Sequence, residues 1–106
     1  MLEKLILSII DAAEVLGLTE VDLDNARDLL NNREYGLAFD IIITQLYEYE
    51  IEIDDDFYNL IERIAIKMNI SKDQYFFMKE LIRAENIVPK SVKDRLAEIL
   101  KSLEIN

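Results

Sequence analysis

Six carboxylates fall within nine residues of this sequence, at Glu48, Glu50, Glu52, Asp54, Asp55 and Asp56, with no Lys or Arg among them. Tyr47, Tyr49 and Tyr58 flank the run. Closely spaced oxygen ligands raise calcium first. An EF-hand loop needs ligands at fixed offsets, a Gly at its sixth position and a closing Glu at its twelfth. With Asp54 as position one, Asn59 falls at six and Ala65 at twelve, so the pattern fails. Paired acids also serve glycoside hydrolysis, but only across a cleft, which short helices seldom supply. What remains is electrostatic: a negative contact surface for a basic protein, with Tyr as the apolar anchor. The competing reading is plain solvation, with acids favoured at a helix N-terminus by the macrodipole.

Most other chemistry is removed by composition. The chain has 106 residues, with no cysteine and no histidine. Disulfides, thiolate ligands, cysteine nucleophiles and every His-based acid–base pair are therefore excluded. No Gly-rich phosphate cradle of either common spacing is present. The expectation is a protein that is not an enzyme and holds neither metal nor cofactor.

Charge narrows the partners. Twenty-two acids against twelve bases give a net charge of −10. Residues 1–30 hold two bases and seven acids, residues 31–62 one base and nine acids, and residues 63–106 nine bases and six acids. The segment nets are thus −5, −8 and +3. Phosphate backbones and anionic membrane surfaces call for clustered Lys and Arg, so neither nucleic acid nor membrane is an expected partner. A basic protein is. Near the amino terminus the charges of Glu3 and Lys4 cancel, and the apolar run from Leu5 to Ile10 stops at Asp11, so no export signal is read and a cytoplasmic location is expected.

The elements that must position the acids read as helices throughout. Hydrophobic residues make up 51% of the chain and charged residues 32%, too apolar for disorder and too charged for a membrane span. Leu2, Leu5, Ile6, Ile9, Ile10, Ala13 and Leu16 follow helical spacing, with Gly17 as a stop. Thr19 with Asp22 reads as the capping signal of a second helix carrying Val21, Ala26, Leu29 and Leu30, broken at Asn31-Asn32. Tyr35, Ala38, Phe39, Ile42, Ile43, Leu46 and Tyr49 form a third stripe. Leu37 and Ile41 widen it, which predicts a third helix at the centre of the fold.

Residues 50–53 alternate as a short extended link, and Asp54 reads as the N-cap of a fourth helix through Phe57, Leu60, Ile61, Ile64, Ala65 and Met68 to Asn69. Ser71 with Gln74 predicts a fifth helix bearing Phe77, Met78, Leu81 and Ile82. Ser91 with Asp94, after Pro89, predicts a last one bearing Val92, Leu96, Ile99, Leu100 and Leu103. The expected fold is all-α, a compact single-domain bundle of about six helices over residues 1–106. Tyr35 and Tyr49, on the third stripe, are expected in the core. Tyr47, off it, is expected to be exposed.

The stretch Glu34-Tyr35-Gly36-Leu37-Ala38-Phe39-Asp40, followed by Gln45-Leu46-Tyr47-Glu48-Tyr49-Glu50-Ile51 and by Phe57-Tyr58-Asn59-Leu60-Ile61, resembles the MafI-like bacterial immunity proteins. The resemblance covers roughly residues 25–85. These are small cytosolic helical proteins encoded beside secreted polymorphic toxins, including those of contact-dependent growth inhibition. The resemblance implies an immunity protein that binds one cognate toxin domain and neutralises it by occlusion. A nuclease toxin would present the basic surface that an acidic inhibitor fits. The partner-binding residues expected on this reading are Tyr47, Glu48, Glu50, Glu52, Asp54, Asp55, Asp56 and Tyr58, in a monomer or weak homo-oligomer. The alternative is a helical adaptor or regulatory subunit that binds an endogenous protein. A second acidic face, with Glu14, Asp22 and Asp28, is the fallback footprint.

Overall fold

Apolar residues spaced three and four apart share one face of a helix, and that face must be buried against another element. The computed structural model describes residues 2–83 and 89–105, with side chains as far as Ser102. It places five α-helices: α1 (Leu2–Leu16), α2 (Glu20–Asn31), α3 (Tyr35–Glu48), α4 (Asp55–Lys67) and α5 (Lys90–Ile105). Two 3-10 turns, Lys72–Gln74 and Phe76–Leu81, lie between α4 and α5. Among the described residues there is no strand, only an isolated parallel bridge between Ile53 and Ile82. The fold is all-α. Its radius of gyration, 12.6 Å, matches the ~13 Å of a folded domain of roughly 100 residues.

One cluster of buried side chains forms the core. From α3 it takes Ala38, Phe39, Ile42, Ile43 and Leu46, and from α4 it takes Phe57, Leu60, Ile61, Ile64 and Ala65. α1 contributes Leu5, Ile6, Ile9, Ile10, Ala12 and Ala13. α3 packs on α1, α2 and the second 3-10 turn, while α1 touches α2, α3, α4 and α5. The centre is therefore shared between α1 and α3. On α2 the buried face runs through Asp22, Leu23 and Ala26, and Val21 is turned outward, 70% exposed.

Each of the first four helices ends in the same way. A residue in the left-handed region follows the helix: Gly17 at φ 106, Arg33 at 61, Glu50 at 52 and Asn69 at 58. The next amide then reaches back five residues: Leu18 to the Ala13 carbonyl at 3.0 Å, Glu34 to Leu29 at 2.8 Å, Ile51 to Leu46 at 3.0 Å and Ile70 to Ala65 at 2.9 Å. These bonds satisfy carbonyls that a helix end leaves orphaned. Gly17 and Asn69 suit the position. Arg33 and Glu50 do not, since a side chain in that region is strained.

Two helix starts differ from the sequence reading. Ser71 makes no side-chain cap. The chain there winds as 3-10 helix, and Tyr75, Met78 and Leu81 are its buried residues. Their spacing of three fits a helix of three residues per turn and would drift off the face of an α-helix. α5 begins at Lys90, ahead of Ser91, and the Pro89 carbonyl accepts from Val92 and Lys93, each at 3.0 Å. Leu96 is its buried residue, and the Leu103 side chain lies outside the described residues.

Ile42 and Leu46 are both wholly buried on α3. Truncating either to Ala should cost about 2–5 kcal/mol, from lost burial and the cavity left behind. Denaturant unfolding measures this, and a loss below about 1 kcal/mol at both sites would take α3 out of the core.

Candidate functional site

The acidic run occupies the corner where α3 hands over to α4. Its backbone is fixed at three points. Glu50 takes the left-handed turn that ends α3. Ile53 bridges to the second 3-10 turn, its amide bonding the Leu81 carbonyl and its own carbonyl accepting from Arg83, each at 3.0 Å. Asp54 then starts α4, its Oδ1 accepting from the Phe57 amide at 2.9 Å. A fixed backbone presents the side chains of the corner in a defined array.

The eight residues expected to bind a partner divide into two groups. Glu48, Glu50, Asp55 and Asp56 are exposed and make no ion pair among the described residues. The other four are engaged within the chain. Asp54 is buried as the α4 cap. Glu52 is half-buried and pairs with Arg83 Nε at 3.3 Å. Tyr47 is half-buried, its ring edge-on to Phe77 at 4.9 Å and its hydroxyl donating to Glu80 Oε1 at 3.0 Å. Tyr58 is buried, 5% exposed, with its ring 6.0 Å from Tyr75 and Lys79 Nζ 5.5 Å from its centroid.

Tyr47 and Tyr58 are therefore not open anchors, and the expectation of an exposed Tyr47 is corrected. Tyr49, expected in the core, is the open one at 51% exposure. It caps the C-terminus of α3. The stripe has run past the last turn that faces the core, so the final member of the pattern has nothing to pack on. That helix stop was the signal that places Tyr49 outside.

Local electrostatics follow from this crowding. The Asp56 carboxyl is pushed up, first by partial desolvation and then by Asp54 and Asp55, while Lys93 pulls the other way. The Tyr47 phenol is raised, mainly by its hydrogen bond to Glu80. The Tyr58 phenol is raised, mainly by burial, and its hydroxyl has no hydrogen-bond partner among the described residues.

The second acidic face behaves differently. Arg27 meets Glu20 at 3.1 Å, Asp24 at 3.2 Å and Glu14 at 3.6 Å. Asp22 is buried, accepting from Thr19 Oγ1 at 2.7 Å and from Gln45 Nε2 at 3.0 Å. Of the fallback set only Asp28 is left as an exposed acid outside these pairs. Much of that face is neutralised from within, and the α3–α4 corner is not.

Among the described residues no group of three or more potential ligands is arranged to hold a metal ion, and no helix is long and apolar enough to cross a membrane. Two predictions test the corner. Asp54→Ala removes the cap of α4 and should cost about 0.5–2 kcal/mol in chemical unfolding. The second concerns pH. The folded chain holds the Asp56 proton more tightly than the unfolded chain, so ionising Asp56 removes stability as pH rises through the carboxylate range. Asp56→Asn should then raise the melting temperature at neutral pH, with the gain fading in acid below the unfolded Asp value of about 3.9. A melting series across pH checks both the sign and the window.

Comparison of the chain with protein-family models, curated proteins and solved structures returned no match.

Proposed function

We propose that this chain is an immunity protein of the MafI-like type, which binds a cognate bacterial toxin domain in the cytoplasm and neutralises it by occlusion. One observation carries the reading: Glu48, Glu50, Asp55 and Asp56 make an acidic corner without ion pairs among the described residues, beside the exposed ring of Tyr49. A nuclease toxin must hold phosphates, and so presents Lys and Arg around its active site. Opposite potentials steer the two proteins together, and an aromatic side chain at the contact slows their separation. Such an inhibitor works by contact alone, which suits a chain with no histidine and no cysteine. The Glu34–Asp40 and Gln45–Ile51 stretches that resemble the immunity family include Tyr49, Glu48 and Glu50.

The test is growth rescue. Co-expression with the toxin domain encoded beside its gene should restore growth, and the purified pair should bind. The triple change Glu48→Gln, Glu50→Gln and Asp55→Asn should mainly slow association and flatten its salt dependence. Tyr49→Ala should mainly speed dissociation, by about tenfold for a loss near 1.4 kcal/mol. Single exposed charges contribute only about 0–1 kcal/mol each, so the triple is the fairer variant. Failure to rescue and to bind would end the proposal. Rescue with unchanged kinetics in all variants would move the footprint away from this corner.

A further inference from the structure

The helices α3 and α4 run between two ends, and the acidic corner occupies only one of them. At the other end the start of α3 and the close of α4 border a groove of about 730 Å³. Its apolar lining includes Leu37, Met68 and Ile70, with Leu37 54% exposed. Four charged residues also line it: Arg33 and Lys67 on the positive side, Glu34 and Asp40 on the negative. None of the four makes an ion pair among the described residues.

We propose that this groove is a self-association surface, through which two copies of the chain pair about a two-fold axis. The argument begins with charge. At a net −10, two copies repel across most approaches. The groove is locally neutral, with two bases and two acids around apolar side chains, so here a second copy can approach without that repulsion. A two-fold contact uses the same patch on both partners, so the patch must complement itself. Equal numbers of free bases and acids provide that: Arg33 and Lys67 of one copy meet Glu34 and Asp40 of the other, around a centre in which Leu37 is covered from both sides.

Two backbone features of the groove point the same way. Gly36 lies in the first turn of α3, and a Cβ built on it meets nothing within 4 Å. Nothing inside the chain requires a glycine there, and glycine is unfavourable within a helix. Its use is to let another molecule's backbone come close. Arg33, which lines the groove, is held at φ 61, a strained conformation for a side-chain-bearing residue where glycine would be at ease.

The contact is separate from the acidic corner, and its test needs no toxin. The mass of the chain is followed by sedimentation equilibrium up to about 100 µM, a range that captures micromolar dimers. The native chain should dimerise, and Leu37→Glu and Gly36→Trp should each raise the dissociation constant about tenfold or more. Both positions are solvent-facing, and circular dichroism verifies the fold. A charge swap is the sharper arm. Arg33→Glu with Lys67→Glu makes one all-acidic rim, and Glu34→Lys with Asp40→Lys makes an all-basic one. Each should be monomeric alone, and the two should pair when mixed. A monomeric native chain overturns the proposal and leaves the groove to a different protein. A dimer that survives both Leu37→Glu and Gly36→Trp overturns it too, by placing the contact elsewhere. Swapped variants that stay apart on mixing overturn the two-fold arrangement.

Discussion

The apolar contact that α1 makes on several sides at once holds this bundle together. Leu5, Ile6, Ile9, Ile10, Ala12 and Ala13 are all buried, and they span more of the helix circumference than a single stripe. A surface helix buries one face against one neighbour, but α1 meets α2, α3, α4 and α5. The two alanines matter as much as the large residues, because small side chains let neighbouring helices come close. α5 depends most on this arrangement. Its buried residue is Leu96, and it packs on α1 and α4.

With the interior closed this way, the charge of the chain is carried outside, and it is handled unequally. On the α1–α2 side Arg27 gathers three carboxylates, and the buried Asp22 is satisfied by Thr19 and Gln45. The Gln45–Asp22 bond also ties α3 to α2, so an acid buried there is part of the packing and not an unpaired charge. Among the described residues no base at the α3–α4 corner gathers three carboxylates as Arg27 does. Arg83 reaches only Glu52 among the corner acids. The Asp56 carboxyl is raised there, first by partial desolvation and then by repulsion from Asp54 and Asp55.

Much of this was legible in the sequence. Helical periodicity located α1 through α4, Gly17 and Asn69 marked two stops, and Thr19 and Asp54 marked two starts, because each of those residues does its work within four positions of itself. What failed were features decided at longer range. Tyr47 has Phe77 and Glu80 to pack and bond with, residues some thirty positions away, so no local pattern separates it from Tyr49. Tyr58 lies next to Phe57 on α4, and Tyr75 and Lys79 cover it from the 3-10 turns. The left-handed residues Arg33 and Glu50 were illegible for a different reason: their types argue against the conformation they adopt. The spacing of three in Tyr75, Met78 and Leu81 was legible in principle, but Phe77, Met78, Leu81 and Ile82 also fit the spacing of an α-helix.

The strained and uncompensated groups of this chain are not spread evenly. Arg33 and Gly36, each unfavourable where it stands, sit at the groove end of α3. Glu50, also strained, and the unpaired acids Glu48, Asp55 and Asp56 sit at the corner end. Between them the helix interiors supply the buried apolar residues of the core, and the buried Asp22 has its bonds made. A fold selected for stability alone would place glycine or asparagine after α2 and α3, a larger side chain at Gly36 and a base at the corner. These departures gather at the two ends of α3, which is a rigid spacer between them. α3 is 14 residues long, so the spacer is about 20 Å. At that distance, beyond a Debye length of about 8 Å in physiological salt, charge rearranged at one end is screened from the other. The two surfaces are then free to act independently, and a chain paired through its groove would still carry its acidic corner open to solvent.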